Sequence, residues 1–205
     1  MGRPTKIEIE DRTERLVAIA SSMFIQNGYR ATSLEAVAGA AGVAKKTIYS
    51  QFGDKAALFR YVFKVLADRH AKLSPLDLDE PFRDGLIRRA TLIVESAFEP
   101  NSIAFNQLVV REGMNFPELR GSKAEIAEAS MMQPLTAFVG RQMEGLSEPD
   151  VRLLCELFVG LLLGRCSELV AHPSIANERA WYSPERIERI CDFFIAGAAT
   201  SATWK

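Results

Sequence analysis

Lys45 and Lys46 stand side by side at the start of a short segment, Ala44 to Ser50, whose spacing predicts a helix. Both ammonium groups then fall in its first turn, where the helix dipole favours acids and disfavours each cation by roughly 0.3–1 kcal/mol. Something beyond the helix must favour them there. A phosphate or a base edge would do so; two solvated surface lysines are the alternative. Other reactive side chains carry less. Cys155 and Cys166 share a helix face but stand eleven residues apart, about 16 Å at 1.5 Å per residue, too far to pair within one helix. Cys166 or Cys191 meeting a second thiol between helices or protomers would make a redox-sensitive pair, with inert buried thiols as the other reading. His70 and His172 have no Cys, Ser or carboxylate in a catalytic arrangement, and no phosphate-binding glycine loop appears. No catalytic residue, metal ligand or cofactor is therefore expected, and an enzyme is disfavoured.

The elements that must position the lysines follow from periodicity. Leu16, Ile19, Ala20, Met23 and Phe24 recur at helical spacing before Asn27-Gly28, predicting a first helix from Glu8 to Gln26. Ser33 is a good N-cap for a second, which Gly42 ends. After the third, Asp54 caps a fourth whose Leu58, Tyr61, Val62, Val65 and Leu66 form one stripe, with Phe59 and Phe63 on other sides. So wide an apolar surface implies contact with two bodies. Ser74-Pro75 and Glu80-Pro81 mark a boundary. Further helices are expected near 82–98, 102–114, 122–143, 147–171 and 184–199, the last two capped by Ser147 and by Ser183-Pro184. No alternating strand pattern occurs, so the fold class is all-α. Residues 1–53 are expected to form a helix-turn-helix domain, 54–73 a linking helix, and 74–205 a larger helical domain.

Composition sets outer bounds. With 48% apolar and 25% charged residues the chain is of ordinary globular make-up, which disfavours disorder. Three cysteines without paired spacing and an N-terminus without a secretory apolar run imply a cytoplasmic home. The longest apolar stretch, Leu153 to Gly164, contains Glu156 and falls short of the roughly 18 residues of a membrane span. The net charge of −1 divides unevenly. Nine basic and six acidic residues among the first 60 leave +3 there and −4 beyond, the balance of a basic head on an acidic body.

Ala38 is small enough for two helices to cross closely, Gly42 permits the positive φ of a tight turn, and Ile48 plugs the space between them. Those are the steric needs of a helix-turn-helix. The wider string Gly28-Tyr29-Arg30-Ala31-Thr32-Ser33, Val37-Ala38, Ala41-Gly42-Val43, Thr47-Ile48-Tyr49, Phe52 and Lys55-Ala56-Ala57-Leu58 resembles the N-terminal domain of the TetR family of repressors over residues 12 to 60 without a gap. Phe116-Pro117-Glu118-Leu119 and the late apolar helix resemble the AcrR/AefR-type branch.

The resemblance implies a ligand-responsive repressor that binds a palindromic double-stranded DNA operator as a homodimer, with the third helix in the major groove. Lys45, Lys46 and Thr47 are the candidates for base or phosphate contacts, and Tyr49 and Lys55 match positions that hold the DNA backbone. Tyr49 as a core ring with an exposed hydroxyl is the other reading. Thr32 and Ser33 either cap the second helix alone or also donate to phosphate. Arg3, in the basic Gly2–Lys6 segment, is a candidate minor-groove arm. Two positions depart from the family: Ala44 stands where serine is usual, removing a cap worth about 1 kcal/mol, and Gln51 replaces a frequent histidine or tyrosine.

Between Val151 and Leu169 apolar residues cover nearly every side of the helix, so a second protomer is the economical partner. Gly160 and Gly164, beside Leu157 and Leu161, would let a copy approach closely. Ile190 and Phe194 on the final helix complete the expected dimer interface, which the resemblance makes a four-helix one. Phe98, Phe105, Met114, Phe116, Met132 and Phe138 are candidates to line a pocket for an unidentified apolar or amphipathic effector, ordinary core packing being the alternative. Arg111, Glu112 and Arg165 fall among apolar neighbours and either orient a polar group of that effector or form interface ion pairs. A redox-sensing DNA-binding regulator using Cys166 or Cys191 is the second functional reading.

Overall fold

The computed structural model describes residues 6–71, 77–143, 145–171 and 182–201. Among them every regular element is helical: α1 Lys6–Ala31, α2 Leu34–Ala41, α3 Lys45–Phe52, α4 Lys55–Ala71, α5 Phe82–Ala97, α6 Pro100–Glu112, α7 Pro117–Ala127, α8 Gln133–Gln142, α9 Glu148–Ala171 and α10 Pro184–Ser201. The expected helix over 122–143 instead starts at Pro117, a first-turn position where proline's missing N–H costs nothing. A π turn, Glu128–Met132, joins α7 to α8 by inserting one residue into the helical repeat, and Met132, Leu135, Phe138 and Val139 at and beyond it are buried. Ser147 and Ser183 cap as expected, accepting from the N–H groups of Asp150 and Arg186 at 3.4 and 3.3 Å. Gly28, with φ 83° and ψ 167°, breaks α1 inside its span, which is the stop that Asn27-Gly28 predicts.

Packing divides the chain into two units, Met1–Leu66 with Ala104–Ala124, and Ala67–Ile103 with Glu125–Lys205. The single boundary near residue 54–73 expected from the sequence is thereby redrawn, because the end of α6 and the start of α7 fold with the head. Aromatic stacking is the reason: Phe105 of α6 lies 5.4 Å from Phe59 and 5.8 Å from Phe63 of α4. Phe105 thus covers part of the broad apolar surface of α4 from within the same unit. The first core also gathers Leu16, Val17, Ala20 and Phe24 of α1 with Val37, Ala38, Ile48, Leu58 and Val62.

In the second unit α5, α8, α9 and α10 enclose Leu86, Phe138, Cys155, Phe158, Leu162, Cys191 and Phe194. Arg89 is buried there, its guanidinium 3.6 Å from the Phe138 ring centroid, paired with Glu80 and donating to the carbonyls of Gly85 and Asp77. A buried charge persists only when paired and hydrogen-bonded in this way.

Candidate nucleic-acid interface

The crossing of α2 and α3 is built as the small-residue spacing requires. Gly42 takes φ 66° and ψ 31°, and its N–H reaches back to the carbonyls of Ala38 and Gly39. Ile48 is fully buried and Ala38 nearly so. Ser33 caps α2, its Oγ accepting from Ala36 N at 3.1 Å, and remains exposed. Ala44 has the extended conformation of an N-cap but no side-chain cap bond, so α3 begins uncapped.

α3 turns only Ile48 fully inward and leaves Lys45, Lys46, Thr47 and Tyr49 exposed. The environments of the two lysines differ. Lys45 Nζ lies 2.8 Å from Glu35 Oε1 of α2, and the Tyr49 hydroxyl donates to that same oxygen at 2.7 Å. The hydrogen bond from Lys45, followed by that from Tyr49, lowers the Glu35 carboxyl to about 2. The same contacts raise Lys45 and Tyr49 above their ordinary values. The dipole penalty on Lys45 is therefore answered inside the chain, which corrects the inference that both lysines need an outside partner. Lys46 has no ion-pair partner among the described residues, and for it that inference stands. Tyr49, 41% exposed, is a surface group and not a core ring.

Two candidate contacts are redirected inward. Thr32 is 1% exposed and its hydroxyl donates to Gly28 O at 2.8 Å and Met23 O at 3.2 Å, so it is not presented to phosphate. Lys55 donates to Tyr29 O at 2.9 Å and Arg30 O at 3.3 Å and sits 4.4 Å over the Tyr29 ring, closing the end of α1 where a grip on the DNA backbone was expected. Arg3 lies outside the described residues.

A carboxylate expected to orient a polar group of an effector or to form an interface ion pair holds this corner inside the chain. Glu112, at the end of α6, accepts from Tyr29 N at 3.3 Å and Arg30 N at 3.1 Å, capping the chain as it leaves the Gly28 break. Tyr29 donates to Glu118 at 3.2 Å and meets Phe116 edge-on at 5.0 Å, while burial first and Glu118 second push its phenol up. Neither the Glu35 nor the Glu112 contacts could be found from periodicity, because each acts across a large sequence gap.

The pocket candidates are divided between the two units. Phe105 belongs to the stack on Phe59 and Phe63, Phe116 packs on Tyr29, Met114 is 77% exposed, and Arg111 points outward beside Glu112 at 3.5 Å. These four belong to the first unit. Phe98, Met132 and Phe138 remain together in the second core. The Arg165 side chain lies outside the described residues.

For the dimer candidates, α9 is two-faced. Val151, Cys155, Phe158, Leu162 and Cys166 are buried, whereas Leu153, Leu157 and Leu161 are about half exposed, at 54%, 57% and 49%. Beside them, a Cβ placed on Gly160 or Gly164 would meet nothing within 4 Å. On α10, Phe194 is corrected: it is buried, 4.7 Å from Phe158, and Ile190 is half-buried against the same core, while Phe193 is 70% exposed. One residue is a 100° step on a helix, so these neighbours face different sides of α10. Burial also pushes the Cys191 thiol up to about 12, so it is not a thiolate at neutral pH, and Cys166 is buried with Sγ 3.9 Å from Ala97 O. Among the described residues no group of His, Cys, Asp or Glu could hold a metal ion, and no helix is long and apolar enough to cross a membrane.

Two short helices crossed at a turn glycine, the second presenting cationic and hydroxyl side chains to solvent, define a helix-turn-helix protein. Residues 16–62 match the model of the bacterial regulatory proteins, tetR family. The chain is 37% identical over 65 residues to the HTH-type transcriptional regulator AcrR of Shigella flexneri, covering 32% of this chain and 30% of that one. It is 27% identical over 119 residues to SrpR of Pseudomonas putida, covering 56% and 53%. The chain thus spans about half the length of these relatives or less. The solved structure of the flavonoid-responsive regulator FrrA superposes with a TM-score of 0.73 at 22% identity, over 94% of this chain and 97% of that one, a likeness of fold. Over residues 16–62 the chain is thus similar to the DNA-binding region of TetR-family transcriptional regulators, and its overall fold is like theirs.

Proposed function

We propose that this protein is a cytoplasmic repressor that binds a palindromic DNA operator as a homodimer and leaves it when a small apolar or amphipathic effector binds. The observation that carries the DNA reading is the outward face of α3, where Lys46 stands unpaired among the described residues beside Lys45, Thr47 and Tyr49 while only Ile48 is fully buried. A cation in a first helical turn without an internal counter-charge is suited to a phosphate or a guanine edge. Ser33, at the N-terminus of α2, adds an exposed hydroxyl and the positive end of a helix to the same unit.

The dimer reading rests on Leu153, Leu157, Leu161 and Phe193. Such half-exposed apolar side chains beside two open glycines are suited to burial against a second copy. The effector reading rests on the similarity to TetR-family regulators and on Phe98, Met132 and Phe138 in the second core. Regulation without catalysis is the corresponding activity.

The test is a Lys45→Ala/Lys46→Ala double variant titrated with duplex DNA at several salt concentrations. Losing the neutralisation by Lys46 alone lowers the slope of log K against log salt by about 0.9, and by about 1.8 where Lys45 also leaves Glu35 for a phosphate. An unchanged slope and affinity would remove α3 from the interface.

A further inference from the structure

Lys45 and Lys46 are adjacent, both exposed, and both in the first turn of α3, yet only Lys45 is engaged within the chain. Its ammonium and the Tyr49 hydroxyl converge on one oxygen of Glu35, at 2.8 and 2.7 Å, and the ammonium also lies 5.7 Å from the Tyr49 ring centroid. The carboxylate sits in the first turn of α2, where the dipole of that helix favours it. Two of the groups suited to phosphate are therefore already bound to an anion that the protein supplies itself.

We propose that Glu35 is a selectivity residue of the DNA interface: an internal counter-ion that masks Lys45 and Tyr49 from nucleic acid until α3 docks closely enough to exchange the carboxylate for a DNA group. The inference rests on the DNA-binding reading above. In a loose complex held by long-range charge, the pair stays closed and Lys45 contributes no net attraction, because Glu35 cancels it at contact distance. In a closely docked complex Lys45 and Tyr49 change partner, and opening so exposed an ion pair costs a few-fold in affinity at most. The arrangement discounts binding to arbitrary sequence more than binding to a fitted site, which is specificity obtained by penalising the wrong partner.

The experiment compares wild type, Glu35→Gln and Glu14→Gln, the last an exposed acid on α1 of the same unit. Each is titrated at several salt concentrations with a duplex that the wild type has selected from a random library, and with a scrambled duplex of the same length and composition. Glu35→Gln is expected to bind the scrambled duplex about fivefold tighter at 0.15 M salt, with a slope steeper by about 0.9, the contribution of one phosphate neutralisation. Its affinity for the selected duplex changes less, so the ratio between the two falls, and Glu14→Gln stays near wild type. Equal gains on both duplexes, an equal gain in Glu14→Gln, or weaker binding by Glu35→Gln overturns the masking role while leaving DNA binding in place. A wild-type chain that enriches and binds no duplex overturns both. Glu35 is exposed, so a folded variant is expected, checked by an unchanged helical circular dichroism spectrum and melting temperature.

Discussion

Gly28→Ala puts the Glu112 latch to a quantitative test. Gly28 holds φ 83° and ψ 167°, a region open in practice only to glycine, and forcing another residue there costs of order 1–3 kcal/mol. The added methyl would also stand 2.5 Å from Glu112 Oε1. The carboxylate is the movable end of a side chain, so it swings away and gives up its bonds to Tyr29 N and Arg30 N. Hydrogen bonds to a charged group contribute about 1.5–3 kcal/mol each, part of which returns when the freed carboxylate meets water. The combined loss is about 2–4 kcal/mol, a large share of the 5–15 kcal/mol that usually holds a domain folded. Urea unfolding followed by circular dichroism measures it directly, and a double-mutant cycle with Glu112→Ala separates the two causes. With Glu112 truncated only the backbone strain remains, so Gly28→Ala should then cost about 1–2 kcal/mol less. A loss below about 0.5 kcal/mol in the wild-type background would refute the strain, and an identical loss in both backgrounds would refute the latch.

Adjacent phenylalanines on α10 should behave differently: Phe194→Ala, emptying a site beside Phe158, lowers stability by about 3–5 kcal/mol, whereas Phe193→Asp and Leu157→Asp shift sedimentation toward the single chain. Retention of the wild-type assembly state in both aspartate variants would place the interface elsewhere. Ala44→Ser supplies the missing cap of α3 at a residue already extended, and should add about 0.5–1 kcal/mol in urea unfolding. Because the folded Glu35 carboxyl is depressed from 4.5 to about 2, its stabilising contacts are complete above pH 4.5 and are lost as pH falls through about 2. Carbon-detected NMR of the side chain should report that midpoint, and one near 4.5 would mean the cluster is not formed.

Local spacing carries information that survives in one dimension, and most helix spans, the Ala38-Gly42-Ile48 crossing and the family resemblance of residues 12 to 60 were legible because a helical repeat and a turn glycine are set by neighbours three to six residues away. Which partner a side chain finds is set by how helices cross, and there the sequence is silent. Lys45 reads as a free cation until α2 and α3 place Glu35 beside it. Lys55 and Thr32 read as DNA contacts until the end of α1 claims both. Glu112 reads as an effector contact or interface ion-pair partner until it caps backbone 82 and 83 residues away. On α9, apolar on nearly every side in the sequence, only tertiary packing could decide which face its own chain covers and which it leaves exposed. The same packing drew residues 104–124 into the head, because an aromatic stack with Phe59 and Phe63 outweighs proximity along the chain.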